Sequence, residues 1–230
     1  MFFDINPTPK LLTFDCYGTL IDWDSALRSY VTEVLAHKDI AVSPDEFYDT
    51  WYYENALPML RGPFKIYREL LRDSLQDALR HYGATVGASD GHGFGDAMAQ
   101  AAPFPDTLDV LRELAKHFKL AIISNSQDDI VSHAVDRMEN LFDVVLTAET
   151  THAYKPNPAL FELVLEEAGV DVSRTVHIAQ SQYVDLPQSV PMGMRTVWIN
   201  RNAQTLNPGT PAPHAELPDL RGVPGLLKIA

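Results

Sequence analysis

The hydrophobic pattern near the N-terminus predicts a strand that is buried on both faces. Residues 11–14 are apolar or β-branched and have no helical period, which is typical of an internal strand of a parallel sheet. Asp15 follows at the carboxyl end of this strand, where open α/β sheets bind their ligands. Gly18 and Thr19 predict a turn with amide groups open to an anion. A turn-capping role for Asp15 is the alternative.

The pattern becomes helical between residue 23 and about residue 102, with no convincing strand. Three helices are predicted there, over residues 27–35, 44–61 and 64–82. Ser43 and Pro44 are residue types preferred at the cap and first position of a helix. The segment 87–95 has turn composition and is interpreted as a linker, with His92 in a solvated loop. Residues 22–102 are therefore predicted to form a helical cap inserted after the first strand.

Short apolar strands alternate with helices from residue 104 onward. The strands are predicted at residues 120–123, 144–146, 176–179 and 195–199. This alternation indicates βαβ units, and hence an α/β fold whose parallel-sheet core comprises residues 1–21 and 103–230. Ser126 and Asp129 resemble a capping box for the helix after the second strand. The proline-rich tail after residue 199 is predicted to be mostly irregular.

Composition and charge exclude several classes of function. The chain has 230 residues, 46% of them hydrophobic, so it can bury a substantial core. Its formal charge of −13 argues against nucleic acid as a partner, because no basic stripe could neutralise phosphates. No apolar run is long enough to span a membrane, and the N-terminus lacks a signal-peptide pattern. The single cysteine, Cys16, excludes intrachain disulfides, so we expect a cytoplasmic chain with no membrane partner.

Polar residues follow the predicted strands at four places, namely Asp15, Ser124 with Asn125, Lys155 (from a loop) and Asp185. Their order and spacing resemble the four motifs of the haloacid dehalogenase superfamily, which read here FDCYGTL, IISNS, YKPNPALF and QSQYVD followed by RTVWINR. The resemblance implies a Rossmann-like core with a helical cap, Asp15 as a nucleophile that forms a covalent ester, and Lys155 as the cation beside it. A nearby cation keeps a carboxylate ionised and offsets charge in the transition state. We expect Lys155 in an exposed cleft, within hydrogen-bonding reach of Asp15.

The residue two positions after the nucleophile separates the chemistries of this superfamily. Phosphatases resemble one another in having a second aspartate there, which protonates the leaving oxygen and helps to hold magnesium. The position is Tyr17 here, so the motif resembles that of the (S)-2-haloacid dehalogenases, which use no metal or cofactor. The implied reaction is displacement at C2 of a small carboxylic acid by Asp15, followed by hydrolysis with water activated near Asp185. A magnesium-dependent phosphatase with Asp185 as its main acidic ligand, and a non-catalytic binding protein, are the alternatives.

Further candidates are weighed against structural roles. Thr19 and Ser124 are predicted to assist catalysis, Thr19 through a hydrogen bond to Asp15 or to a bound anion. The predicted substrate-binding residues are Tyr17, Asn125, Tyr52, Gln180 and Gln182. Cys16 and His177 are interpreted as a small buried residue and a satisfied core histidine. A homodimer is left open.

The sequence also departs from the dehalogenase pattern. Trp51 is followed by Tyr52 where those enzymes have an arginine that helps to hold the halide. Gln180 and Gln182 stand where they have serine and asparagine, and Phe161 stands where they have tyrosine. Related hydrolases open other small 2-substituted acids, so the reaction class is better supported than the substrate. Arg61 or the aromatic residues 51–53 are predicted to line the cap side of the pocket, with cap packing as the alternative for Trp51.

Overall fold

Six parallel strands form the single sheet of the computed structural model, which describes residues 3–229. The strands are β1 Leu11–Phe14, β2 Lys119–Ser124, β3 Val144–Thr147, β4 Thr175–Ala179, β5 Arg195–Ile199 and β6 Ala215–Leu217. Their order in the sheet is β3-β2-β1-β4-β5-β6, with every neighbouring pair parallel. All four residues of β1 are fully buried because β2 and β4 flank it and helices cover both faces. The predicted α/β fold with a parallel sheet is confirmed.

Strand β6 corrects the expectation of an irregular tail. It pairs with β5 from Val197↔Ala215 to Ile199↔Leu217, and the amide of Asn200 donates to the Leu217 carbonyl at 2.8 Å. The strand has only three residues and is flanked by prolines, so it lacks the apolar run that marks an internal strand. An edge strand tolerates such flanks because it forms ladder hydrogen bonds on one side only.

The helices between residues 23 and 100 build the cap. They are α1 Trp23–His37, α2 Pro44–Asp49, a π-helical segment Thr50–Ala56, α3 Leu57–Met59, α4 Tyr67–His81 and α5 His92–Gln100. The Ser43 side chain caps α2 by accepting from the Glu46 amide at 3.1 Å, and Asp22 caps α1 by accepting from the Ser25 amide at 3.2 Å. The second predicted helix is observed as three consecutive segments with a π-helical centre. The boundaries 22–102 stay a prediction.

Helix α5 replaces the predicted linker. Gly91 lies in the left-handed region with φ +85°, and the helix begins at His92, whose side chain is exposed. Gly93 and Gly95 allow close packing rather than a turn, since a Cβ atom there would lie 3.0 Å from the Tyr30 ring and 2.7 Å from Arg68 Nη1. The glycines that indicated a loop are therefore contact points between helices.

The helices of the core follow the cap, and the first of them precedes β2. They are α6 Thr107–Leu114, α7 Asp128–Arg137, α8 Ala148–Thr151, α9 Ala159–Ala168, α10 Leu186–Ser189 and α11 Val223–Leu226. The predicted capping box is not formed, because Gln127 occupies the cap position of α7 and the Ser126 hydroxyl, buried one residue earlier, has no hydrogen-bond partner in the described structure. Between residues 3 and 229, no helix has both the length and the apolar character that crossing a membrane requires.

Candidate active site

Asp15 lies at the carboxyl end of β1, at the centre of the sheet. Its amide donates to the Ile178 carbonyl of β4 at 3.1 Å, which extends the pairing of the two strands by one residue. Its carboxylate accepts from Lys155 Nζ at Oδ1 and from Thr19 Oγ1 at Oδ2, both at 2.8 Å. The Thr19 hydroxyl in turn accepts a hydrogen bond from the backbone amide of Gln180 at 2.9 Å. The two carboxylate oxygens are thus held by separate donors, so the orientation of the group is fixed.

In the turn after Asp15, Gly18 has the backbone conformation that was predicted, but its backbone amide is not open to an anion. Gly18 has φ +90°, which favours glycine, and a Cβ atom there would lie 3.2 Å from Gln180 Oε1. Its amide donates to the Ile21 carbonyl at 2.8 Å. That amide is therefore used within the turn and is not open to an anion.

Lys155 is fully buried rather than exposed in a cleft. Its ammonium group donates to Asp15 Oδ1 at 2.8 Å, Asp185 Oδ1 at 2.7 Å and the Ile123 carbonyl at 2.9 Å. All three ammonium hydrogens have acceptors, as a buried charge requires. One cation therefore binds two carboxylates and the end of β2.

Burial and charge shift the pKa of each of these groups. Burial raises the pKa of Asp15 against the opposing attraction of Lys155, and the nearby charge of Asp185 raises it further. Burial would also raise the pKa of Asp185, but the charge of Lys155 and a hydrogen bond from His177 outweigh it, so that pKa is lowered. Burial would lower the pKa of Lys155, but attraction to Asp15 and Asp185 raises it. Asp185 and Lys155 are therefore charged at neutral pH.

The residues at the end of β2 support Lys155. Asn125 Oδ1 accepts from the Lys155 amide at 2.6 Å, and Asn125 Nδ2 donates to the Lys155 carbonyl at 3.2 Å. The Ser124 hydroxyl accepts from the Ser126 amide at 3.2 Å and keeps its own hydrogen available to a ligand. Both side chains line the cavity beside Asp15, but the amide of Asn125 is already committed to the Lys155 backbone.

A small cavity opens beside Asp15 between the core and the cap. Its volume is about 60 Å³, well below the roughly 300–1,000 Å³ of pockets for drug-sized ligands. Core residues Tyr17, Ser124 and Gln180 and cap residues Trp51 and Tyr52 are among those that line it. A larger outer chamber of about 300 Å³ shares Trp23, Tyr52 and Gln180 with it as walls. A small ligand can thus be enclosed with aromatic rings on the cap side.

The aromatic residues of the cavity are held by packing and hydrogen bonds. The Tyr17 hydroxyl donates to the Ile130 carbonyl at 3.1 Å. Trp51 is fully buried and its indole donates to Ser74 Oγ at 2.9 Å, so it packs within the cap as well as facing the cavity. Tyr52 contacts Trp23 edge to face at 5.9 Å, and burial raises its pKa. These rings therefore present neutral, mostly apolar surfaces to a ligand.

Not every predicted contact residue reaches the cavity. The Gln182 amide group accepts from the Asn207 amide at 2.6 Å and donates to the Thr205 carbonyl at 3.2 Å, so it supports the loop before β6 and does not line the cavity. Arg61 is exposed and borders a separate groove. The structure thus brings Asp15, Thr19, Lys155 and Asp185 together and leaves Gln182 outside.

Cap residues Leu60, Tyr67 and Met98 and core residue Ser181 also line the cavity, although no sequence signal identified them. In the sequence, these four residues cannot be distinguished from residues that simply pack in helices and loops. Across residues 3–229, no group of three or more His, Cys, Asp or Glu side chains could hold a metal ion. The expectation of a reaction without metal stays a prediction.

The fold and the site define a protein with a parallel α/β core, a helical cap, and a buried aspartate at the carboxyl end of a central strand. The family model described as haloacid dehalogenase-like hydrolase matches residues 9–186, and the chain belongs to this family. The chain is 30% identical to an (S)-2-haloacid dehalogenase of Pseudomonas sp. (strain YL), over 96% of this chain and 95% of that protein. It is 25% identical to (S)-2-haloacid dehalogenase H-109 of Pseudomonas putida, over 91% and 93% of the two chains.

A solved structure has the same fold. The L-2-haloacid dehalogenase from Xanthobacter autotrophicus superposes with a TM-score of 0.81 at 23% identity, covering 96% of this chain and 99% of that one. The similarity therefore extends over core and cap alike.

Proposed function

We propose that this protein hydrolyses short 2-substituted carboxylic acids, with 2-haloacids as the leading substrates, through an ester on Asp15. The observation that carries the proposal is a buried carboxylate held by Lys155 and Thr19 beside a small cavity, with Tyr17 two residues further on. Such a site supplies a nucleophile and an apolar environment for a leaving group that needs no proton. The named activity of the relatives is the same.

The first step is a displacement at C2. A carboxylate oxygen of Asp15 forms a bond to C2, the bond from C2 to the halogen breaks, and the halide leaves with the electron pair. Lys155 keeps Asp15 ionised, and Ser124 can donate to the substrate carboxylate. Tyr52 and Trp23 on the cap side limit access of water while the ester forms.

The second step is hydrolysis of the ester. Water attacks Cγ of Asp15, and the bond from Cγ to the ester oxygen breaks, so that oxygen leaves with C2 as the hydroxyl of a 2-hydroxy acid. One proton of the water ends on this hydroxyl, and the other leaves through Asp185, which acts as the base. The lowered pKa of Asp185 keeps this base ionised.

A magnesium-dependent phosphatase is not favoured. The residue that would supply its second carboxylate is Tyr17, whose hydroxyl is bound to the Ile130 carbonyl. The Lys155 ammonium also lies within hydrogen-bonding distance of both Asp15 and Asp185 and offsets one of the two negative charges that would attract a metal cation. Divalent cations prefer several oxygen ligands, which this arrangement does not offer.

Single-turnover hydrolysis in heavy-oxygen water tests the proposal. With excess enzyme and 2-chloropropionate, the label is expected in Asp15 and not in the first product, and chelation by EDTA is expected to leave the rate unchanged. Asp15→Asn, which is similar in size but a poor nucleophile, is the matched control and is expected to release no halide. Label that enters the product directly, or loss of activity with EDTA, would contradict the proposal.

The proposal extends to location and assembly. Cys16 is buried in the core, in keeping with a reducing cytoplasmic environment in which it stays a thiol. A homodimer is to be tested by light scattering across a range of protein concentrations.

A further inference from the structure

His177 in β4 connects two strands to the candidate site. Its ring is fully buried, with Nδ1 2.9 Å from Thr13 Oγ1 and Nε2 3.1 Å from Asp185 Oδ1. Thr13 is its register partner in β1, so both side chains lie on the same face of the sheet. The ring also packs edge to face against Phe161 at 5.3 Å. The histidine is a satisfied core residue, as the sequence indicated, but one of its partners is the carboxylate proposed as the base.

The hydrogen-bond partners fix which ring nitrogen carries the proton. An ionised carboxylate only accepts hydrogen bonds, so Nε2 must be the donor to Asp185. In a neutral imidazole Nδ1 then accepts, and the Thr13 hydroxyl donates to it. The result is a directed chain from Thr13 through His177 to Asp185, the arrangement by which a third group orients a catalytic pair.

This series of hydrogen bonds leaves the two carboxylate oxygens of Asp185 with different numbers of hydrogen-bond donors. Oδ1 accepts from both Lys155 at 2.7 Å and His177 at 3.1 Å, whereas Oδ2 is buried with no hydrogen-bond partner within residues 3–229. A buried acceptor without a partner is costly and calls for a functional explanation. With Oδ1 fully engaged, Oδ2 is the oxygen left to accept a proton. Asp185 is fully buried and does not itself line the cavity, whereas its neighbours Lys155 and Val184 do, so the attacking water would approach Oδ2 from that wall.

We infer that His177 is a positioning residue for the hydrolysis of the ester, which fixes Asp185 with Oδ2 available to the attacking water. The inference rests on the proposed function. His177 contributes no hydrogen bond to Asp15, which is held by Lys155 and Thr19. Loss of the histidine is therefore expected to slow the second step and to spare the first. A purely structural role would impair both steps together.

His177→Leu and His177→Gln separate the two steps. In His177→Leu, burst release of halide is expected to persist while ester hydrolysis slows about 100-fold, so the esterified protein accumulates and is detected by intact mass. His177→Gln retains a donor near the Nε2 position and is expected to stay within about tenfold of wild type. Phe161→Leu is the matched control, because it perturbs packing on the same ring without removing a hydrogen bond.

The outcomes are distinct. Accumulation of ester in His177→Leu, but not in Phe161→Leu or His177→Gln, supports the inference. Equal losses in both steps, or equal ester accumulation in Phe161→Leu, would overturn it. Wild-type enzyme that releases no halide from 2-haloacids would instead refute the proposed function.

A substrate-independent measurement completes the test. In the nitrogen NMR spectrum of the full chain, His177 is expected as the Nε2-protonated tautomer, with an Nε2 proton that exchanges slowly and shifts in Asp185→Asn. An Nδ1-protonated tautomer, or a signal insensitive to Asp185→Asn, would contradict the inference even if the substrate class were wrong.

Discussion

A single ammonium group determines the chemistry of this site at the residue scale. Lys155 donates to both Asp15 and Asp185, and its complete burial removes the solvent that would otherwise weaken these contacts. Asp15 therefore depends on two donors, Lys155 and Thr19, to stay ionised in a buried position. The ionisation of Asp15 is therefore sensitive to the loss of either donor.

Thr19→Val is expected to move the acid limb of the activity profile to higher pH. The Thr19 hydroxyl lowers the pKa of Asp15, so its removal raises that pKa further, and the nucleophile is lost at a higher pH as the solution is acidified. The pH dependence of kcat/KM measures this pKa in the free enzyme. Thr19→Ser keeps the hydroxyl and serves as the control. A limb that does not move, or moves to lower pH, would show that Thr19 does not stabilise the anion.

At the scale of secondary-structure elements, elements with a clear hydrophobic period were predictable from the sequence, and short or loop-dependent features were not. Five strands and most helices follow from periodicity, and the convergence of Asp15 and Asp185 follows from the rule that parallel strand ends share one edge. The position of Lys155, which lies in a loop, was implied by the family resemblance and by the need of Asp15 for a nearby cation. Strand β6 was not predicted because its three residues, in a segment with a proline on either side, carry no periodic signal. The position of Gln182 also escaped prediction, because its orientation depends on a loop more than 20 residues away in sequence.

Asn125→Ala tests the element that holds Lys155. The Asn125 side chain binds both the amide and the carbonyl of Lys155, so its loss leaves two backbone groups without their partners. We expect the free energy of unfolding to fall by about 1–3 kcal/mol and kcat to fall with it. Asn55→Ala, which removes one hydrogen bond to the Thr50 carbonyl within the cap, is the control expected to preserve kcat. Unchanged kcat in Asn125→Ala would assign Asn125 no part in positioning Lys155.

Lys155 also matters to the whole molecule, because its contacts join the ends of β1 and β2 to the loop that follows β4. A lysine in an exposed cleft, as the sequence suggested for Lys155, would contribute little to folding stability. Complete burial reverses that expectation, because removal of the cation leaves two carboxylates in the interior without compensation.

Lys155→Met is expected to lower the free energy of unfolding at neutral pH by about 3–5 kcal/mol. Without the cation, burial raises the carboxylate pKa values in the folded state, so stability is lost as the pH rises through them and the deficit shrinks in acid. Urea unfolding at several pH values measures this. Lys119→Met, at a lysine whose side chain donates to the Ala168 carbonyl, is the control expected to have a small effect. A deficit that is independent of pH would contradict the electrostatic origin.

In the proposed reaction, the sharing of one cation by two carboxylates makes the site alternate between two electrostatic states. While Asp15 is free, the three charged groups carry one net negative charge, which repels an anionic substrate. Ester formation removes the charge of Asp15 and leaves a neutral pair of Lys155 and Asp185, so the acid is held covalently during the interval in which repulsion is weakest. Hydrolysis restores the charge beside the carboxylate of the new product. The same negative charge that restores Asp15 as a nucleophile thus also repels the product carboxylate and favours its release.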